Sequence, residues 1–274
     1  MEPIKIGNTL TLRMPDGNVI QLERYDTLPS TAALAREYAR SGYPDKFVIF
    51  AENQADIETH SEKEKRSEPQ KGIFMSCILR PSFFPSQASF LGVLTSVAMI
   101  EALEEHTNRS LGLGWGCDLY CEGRIFASAQ LEGKLDNFGS YEYLIVTFRI
   151  LLDDENFPPR MVDIVRKVFE SDGSSIPMII AKNVLAKFFS LYPSVKNPEK
   201  FFEKYRRKFI LRGVRTKYFE DGKREHCRIL GVDPESARLI IETKRGEIKM
   251  IGSRSKILLP EKIAIKKNKL VRRA

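Results

Sequence analysis

The sequence is poor in the residues that build metal centres, disulfide frameworks and histidine-based active sites. Among its 274 residues are three histidines and four cysteines, the latter being Cys77, Cys117, Cys121 and Cys227. These cysteines are too few and too scattered for a disulfide framework. Cys117 and Cys121, with three residues between them, have no histidine nearby, which argues against a zinc site. We therefore expect free thiols and no metal site. Three histidines also leave little material for a Ser-His-Asp arrangement.

Long apolar runs are lacking as well. No stretch of about 18 apolar residues occurs, and the N-terminal MEPIKIGNTL has no charged-then-apolar signal pattern. With 42% hydrophobic residues, the chain is long enough to bury a full core. We expect a cytoplasmic protein that has no membrane partner.

Apolar periodicity predicts a mixed α/β architecture. Helical spacing predicts helices over residues 31–40, 86–106, 161–170 and 176–191. Short apolar segments predict strands over residues 47–51, 73–79, 125–131 and 143–151, after a hairpin over residues 9–22. The expected fold class is α/β (α+β), a mixed sheet covered by helices.

The C-terminal quarter carries all of the excess positive charge. Residues 199–274 contain 23 Lys and Arg against 10 Asp and Glu, whereas residues 1–198 contain 21 against 26. After a helix near residues 198–208, alternating segments predict strands over residues 210–218, 225–232, 237–243 and 247–251. We therefore predict three parts: residues 1–198, a small antiparallel barrel over 199–262, and a basic tail over 263–274.

Residues 113–132, LGWGCDLYCEGRIFASAQLE, carry a motif. The segment resembles the V-K-W-P-N-D-L-Y…R-K-L-A-G-I-L-V-E stretch of biotin protein ligases. Trp115, Asp118, Arg124 and Glu132 stand at the matching positions, without a gap. This resemblance implies a ligase fold whose activity depends on how many site residues are kept.

Further segments resemble the same family in the same order. Residues 28–42 are similar to its S-T-N helix start, and residues 47–54 to its strand ending A-E-x-Q. Residues 72–81 are similar to its G-L-Y-L-S-x-x-x-R-P strand, and residues 143–152 to its V-I-G-I-G-I-N-V strand. The basic C-terminal part resembles the family's SH3-like domain. The expected fold is thus the biotin/lipoate ligase type followed by an SH3-like barrel.

The resemblance implies a set of site residues. Asp118 and Arg124 take the catalytic positions. The positions that would bind biotin or its adenylate are held by Ser30, Thr31, Gln54, Trp115 and Glu132. No metal ligand set is implied.

Other positions depart from the family pattern. Gly114 and Ile125 replace the two motif lysines, and Glu58 stands at the first arginine of the family's G-R-G-R-R-G loop. Thr147 and Arg149 replace glycines that let backbone approach a ligand, so we expect Arg149 to enter the cleft or to pair with Asp118, Glu132 or Glu58. Losing one preorganised donor costs on the order of 10² to 10³ in rate. The sequence therefore predicts a ligase-like pocket that Glu58, Ile125 and Arg149 alter.

By resemblance, the expected function is ATP-dependent adenylation of biotin and its transfer to a lysine of an acidic biotin carboxyl carrier domain. That activity is expected to be weakened or lost, and it would require biotin, ATP and Mg²⁺. The alternative is a non-catalytic binding protein that uses the cleft or the basic barrel for a partner. A homodimer is compatible with either function. The sequence has no room before Ser30 for the helix-turn-helix of the family's repressors, so we expect no repressor of that type.

Nucleic acid is a second possible partner for the basic C-terminal part. The aromatic residues Tyr205, Phe209, Tyr218 and Phe219 are interleaved with lysines and arginines and could stack on bases. They would equally fit a barrel core, and the charge could steer an acidic carrier domain. The sequence alone favours the carrier and makes nucleic-acid binding the weaker prediction.

Overall fold

The computed structural model describes residues 9–14, 17, 19–55, 69–107, 109–152, 175–252 and 256–260. Within them the N-terminal part contains a mixed sheet of eight strands. The strands are β1 (Thr9–Arg13), β2 (Val19–Leu28), β3 (Phe47–Gln54), β4 (Gln70–Leu79), β5 (Leu111–Leu113), β6 (Asp118–Cys121), β7 (Arg124–Leu135) and β8 (Tyr141–Leu151). Their order across the sheet is β1-β2-β3-β4-β8-β7-β6-β5, and β2 pairs with β3 in parallel while the other neighbours are antiparallel.

Helix α1 (Thr31–Arg40) connects the parallel strands and covers one face of the sheet. Its first turn is capped by Ser30, whose side chain accepts from the Ala33 N–H. Ala35 and Ala39 face a smaller apolar cluster that includes Ile49, Phe74 and Ile145. The rest of that sheet face stays open to form part of the cleft described below.

Helix α2 (Ala88–Glu104) lies in the main core on the opposite face, and a short 3₁₀ helix (Pro85–Gln87) precedes it. The two together, Pro85–Glu104, are long and apolar enough by length and composition to cross a membrane. However, 61% of the 18 residues within it that meet this criterion are buried inside the protein. Helix α3 (Ile176–Leu191) packs beside α2, with Phe188 against Phe148 of β8.

Residues from Arg215 onwards form a separate antiparallel sheet, with strands β9 (Arg215–Glu220), β10 (Lys223–Val232), β11 (Leu239–Thr243), β12 (Ile248–Ile251) and β13 (Ile257–Leu258). Its order is β12-β11-β10-β9-β13, and we call it the C-terminal sheet. Helix α4 (Glu199–Lys208) joins it to the rest of the chain. That this sheet is an SH3-like barrel, and that the parts divide at residues 198 and 262, stay predictions.

The predicted mixed fold is confirmed, with shifts at element ends. The predicted strand over residues 210–218 is wrong in its first half, because Gly213 has φ 83° and Val214 N–H closes a turn onto Leu211 O. Strands β5, β6 and β13 were not predicted. The predicted helix over 161–170 and the tail over 263–274 lie outside the described residues, as does most of the first hairpin's turn.

Candidate functional site

A tight turn carries the first half of the motif segment. Its ends are joined by the Gly114 N–H, which donates to the Asp118 backbone carbonyl at 2.8 Å. Gly116 and Cys117 both lie in the left-handed region, with φ 75° and 69°. A proline is fixed near −65°, so the family's Pro-Asn pair cannot take this backbone path. The turn therefore differs in conformation as well as in sequence.

Gly114 leaves no room for a side chain. A Cβ built on it would lie 2.7 Å from the Tyr120 ring. Tyr120 is buried, and its hydroxyl donates to the Pro260 carbonyl at 2.6 Å. The absence of a lysine at position 114 is thus coupled to the packing of Tyr120 against the C-terminal part.

A chain of hydrogen bonds crosses the sheet face at the start of α1. Gln54 Oε1 accepts from the Thr31 N–H at 2.9 Å and from the Thr31 hydroxyl at 3.3 Å. Ser76 Oγ donates to Thr31 Oγ1 at 3.0 Å and shares a hydrogen bond of 2.9 Å with Thr147 Oγ1. Thr31, Gln54 and Ser76 are buried. The polar atoms of this network therefore satisfy one another.

A cleft of about 510 Å³ lies where α1, the start of α2, β7 and the C-terminal sheet meet. Its volume is in the range of small-molecule sites. Its wall is more apolar than polar and is formed by Ala32, Arg36, Ala88, Ser89, Gly92, Val93, Ser96, Trp115, Gly116, Cys117, Ala129, Gln130, Leu131, Glu132, Thr147, Tyr205, Ala237, Arg238 and Gly252.

An ion pair spans one side of the cleft. Arg36 Nε of α1 donates to both carboxylate oxygens of Glu132 on β7, at 2.9 and 3.2 Å. Both side chains are partly exposed, at 36% and 42%, so the pair can be opened at low cost. A charged ligand could therefore exchange with either partner.

The C-terminal sheet closes the opposite side of the cleft. Trp115 is 7% exposed, and its indole N–H donates to the Ala237 carbonyl at 3.3 Å. Tyr205 of α4 donates to the Gly114 carbonyl at 2.6 Å, and burial raises the pKa of its hydroxyl well above the ordinary value. Tyr205 therefore stays a neutral donor that fixes the motif turn.

Comparison with known proteins gives a consistent result. No family model matches the chain. The chain is 24% identical over 156 residues to the bifunctional ligase/repressor BirA of Bacillus subtilis, covering 56% of this chain and 47% of that protein. The BirA of Bacillus spizizenii is 23% identical over 152 residues, at 55% and 47% coverage. The chain thus spans about half the length of the curated relatives that it matches.

Solved structures match over more of the chain. The biotin protein ligase of Aquifex aeolicus in complex with biotin and ATP has a TM-score of 0.62 and 20% identity, covering 86% of this chain and 97% of that one. The biotin acetyl coenzyme A carboxylase synthetase of Helicobacter pylori with bound biotinylated ATP has a TM-score of 0.52 and 17% identity, at 84% and 98% coverage. The chain has the biotin protein ligase fold. The resemblance predicted from the motif segments is confirmed at this level.

Within the biotin protein ligase fold, the site residues named from sequence fall into two groups. Trp115 and Glu132 line the cleft directly. Ser30, Thr31 and Gln54 lie at the start of α1 and the end of β3, beside the cleft residue Ala32. Two of these five positions thus line the cavity, and the other three lie near its wall without being part of it.

The other named residues that the structure describes are not part of the cleft wall. Asp118 lies in β6 and is 1% exposed. Arg124 is exposed at the start of β7. It precedes Glu132 by eight residues on the same strand, a distance of roughly 26 Å. Ile125 is half-buried against the core. Arg149 is half-buried on β8, paired in register with Phe74 and Ser128. Glu58 lies outside the described residues.

Sequence reasoning missed most of the cleft wall, including two arginines and a cysteine. Arg36 pairs with Glu132, Cys117 donates from Sγ to the Gly92 carbonyl at 3.2 Å, and Arg238 comes from the C-terminal sheet. Arg36 lies four positions after Ala32 in α1, so helical spacing places it on the same side of the helix as that cleft residue. No sequence signal could have indicated Arg238, because its place depends on how the C-terminal sheet packs.

Proposed function

We propose that this protein binds biotin in the cleft and acts as a biotin protein ligase of low activity. The observation that carries the proposal is the cleft itself, whose wall unites Trp115 and Glu132 with the start of α1. Its apolar wall suits an aliphatic acid, and it lies in the fold of proteins solved with biotin and ATP. A cytoplasmic location belongs to the same proposal.

The reaction proposed is the one implied by the resemblance. A carboxylate oxygen of biotin attacks the α-phosphorus of ATP and pyrophosphate leaves; a lysine amine of an acidic carrier domain then attacks the acyl carbon and AMP leaves. In this chain Arg36 and Arg238 are the cations of the cleft wall that could face phosphate. Asp118 and Arg124 lie off that wall and could act only through movement or through neighbours. Low activity is the expected consequence.

Magnesium would have to arrive with ATP. Among the described residues, no three His, Cys, Asp or Glu side chains lie close enough together to hold a metal ion. Glu132 is the acidic residue of the cleft wall, and it already pairs with Arg36. A mobile phosphate-bound Mg²⁺ needs only one or two protein carboxylates, so Glu132 would suffice if Arg36 released it.

The test is transfer of biotin to a purified carrier domain in the presence of ATP and Mg²⁺, detected on the carrier by streptavidin. Ser89→Trp fills the mouth of the cleft, where Ser89 is exposed at the start of α2. Ser86→Trp places the same side chain at an exposed position outside the cleft wall. We expect slow transfer that Ser89→Trp abolishes and Ser86→Trp leaves unchanged. Equal transfer by both variants would show that the cleft is not the site.

The second candidate is a non-catalytic binding protein. It is favoured by the network of Gln54, Thr31, Ser76 and Thr147, whose polar atoms are already paired with one another. Calorimetry separates the two functions. Biotin binding without any transfer supports the second candidate, and transfer supports the first.

A further inference from the structure

Charge is sorted between the two faces of the C-terminal sheet. Side chains alternate between faces along a strand, so Tyr218, Cys227 and Ile229, which are buried, mark the inner face. The acidic residues Glu220 and Glu225 of β9 and β10 fall on that inner side, as does Lys223. On the outer side of these two strands Phe219 is apolar, and every charged residue is basic. Together with Lys244, which directly follows β11, the basic residues and the histidine are Arg215, Lys217, Arg224, His226, Arg228 and Lys244. We call these six residues the basic sheet face.

Two arginines of the basic sheet face stand directly beside one another. Arg215 pairs in register with Arg228, and Lys217 with His226. Like charges opposite each other across strands are destabilising, so such a face is costly unless counter-charge is supplied. Glu242 supplies part of this negative charge, because its carboxylate accepts a hydrogen bond from Arg228 at 2.9 Å. Among the described residues, no carboxylate lies within ion-pair distance of Arg215, Lys217 or Lys244.

A concavity of about 400 Å³ opens beside part of this face. Its wall includes Arg215, His226, Arg228 and Lys244, with the paired Glu242 at one side. Arg238 of the cleft directly precedes β11, whereas Lys244 of the concavity directly follows it, so the two residues lie roughly 20 Å apart at opposite ends of this strand. The basic sheet face is therefore a second site, separate from the cleft.

The arrangement of charge indicates which kind of anion fits. Protein interfaces have an apolar centre from which charged residues are depleted, inside a polar rim. The basic sheet face has the opposite arrangement of charged and apolar residues. Its cations lie on the central strands, whereas the exposed apolar residues Ile248 and Met250 lie on the edge strand β12. Interfaces with nucleic acid are polar and strongly positive. We propose that the basic sheet face binds the phosphate backbone of a nucleic acid.

The aromatic residues limit the mode of binding. Tyr205 and Tyr218 are buried, and Phe219 is half-buried, with the Arg224 guanidinium 5.4 Å from its ring centroid. Base stacking of the kind considered from sequence is therefore not available to the two tyrosines. The contacts are to phosphates, so binding depends strongly on salt and little on base sequence.

The test is fluorescence anisotropy of the full chain with a labelled DNA duplex at several salt concentrations. Four phosphate contacts predict a log-log slope of about −3 to −4, a loss of about 100-fold in affinity between about 50 and 200 mM salt. Lys217→Ser with Lys244→Ser should reduce the slope by about 2 units. Lys196→Ser with Lys200→Ser removes the same charge from exposed positions elsewhere and should leave both affinity and slope unchanged.

Three results would overturn the proposal. The first is no binding to the duplex even at the lowest salt concentration. The second is an equal loss of affinity in both double variants, which would indicate general attraction by net charge. The third is binding of poly-glutamate in place of DNA, which would identify an acidic protein as the partner. Biotin transfer is measured separately, so its failure or success does not affect this result.

Discussion

At the scale of single residues, Thr147 determines how much room the cleft offers beside α1. It stands where the biotin protein ligase pattern has a glycine, and its hydroxyl bonds to Ser76 at 2.9 Å. The side chain adds a methyl group and a hydroxyl to a surface that a glycine would leave open. The Thr147 side chain therefore forms the end of the Gln54-Thr31-Ser76 hydrogen-bond network that faces the cleft.

Replacing Thr147 with glycine should make biotin bind more tightly. The change frees Ser76 to bond with a ligand and opens space on β8, at a stability cost of about 1 kcal/mol for a glycine within a strand. Calorimetry with biotin measures the effect. Thr147→Ser keeps the hydroxyl and is the control, for which little gain is expected. Identical affinities in wild type and Thr147→Gly would refute a blocking role.

A second residue-scale prediction concerns the motif turn. Gly116→Pro restores a family residue but forces φ from 75° to near −65°, so we expect it to lower the free energy of unfolding by more than about 1 kcal/mol. Cys117→Asn restores the neighbouring residue at φ 69°, which asparagine tolerates. Thermal unfolding of both variants compares them. A Gly116→Pro protein as stable as wild type would mean that the turn readily changes conformation.

At the scale of elements, helix α4 is held on α2 by two lysine-glutamate pairs. Lys204 pairs with Glu101, and Lys208 pairs with Glu104. The four side chains are 22% to 38% exposed, so each pair contributes at most about 1 kcal/mol. The pairs fix the direction of α4, which presents Tyr205 to the motif turn.

Reversing the two lysines tests this contact. Lys204→Glu with Lys208→Glu should lower the free energy of unfolding by about 1 to 2 kcal/mol, because attraction is replaced by repulsion. Adding Glu101→Lys and Glu104→Lys should recover most of the loss. Urea denaturation measures both. If the fourfold variant were no more stable than the double variant, the pairs would not be coupled.

The elements also show how far the sequence predicts this fold. Helices α1, α2 and α3 and strands β3, β4 and β8 were predicted within a few residues of their observed bounds. Strands β5 and β6 were missed because all seven of their residues are buried, so they show no alternation. The cleft was predicted in part: the motif indicated Trp115 and Glu132, but packing between separate elements placed Arg238 there and left Arg124 outside.

At the scale of the whole molecule, a buried histidine links stability to pH. Burial lowers the pKa of the His106 imidazole from its ordinary value of 6.5, against a smaller opposite effect of Glu105. His106 is 6% exposed and bonds to Asn183 of α3 at 2.7 Å. The folded state thus favours neutral His106. Its contribution to stability is present above pH 6.5 and is lost as the pH falls below that value.

We expect His106→Gln to make thermal stability less dependent on pH between about 7 and 5, because one proton-linked group is removed. His226→Gln is the matched control, since His226 is exposed on the basic sheet face. Differential scanning fluorimetry across that range measures both variants. An unchanged pH dependence in His106→Gln would assign the acid sensitivity to carboxylates instead.

The chain contains a single tryptophan, and it stands where the cleft, the motif turn and the C-terminal sheet meet. The emission of Trp115 is therefore a built-in optical signal for that junction. Separation of the C-terminal sheet would expose the indole to water and shift its emission to longer wavelength, while a ligand in the cleft would change its intensity. Because no other indole contributes, one spectrum of the unmodified protein can distinguish an empty, an occupied and an opened junction.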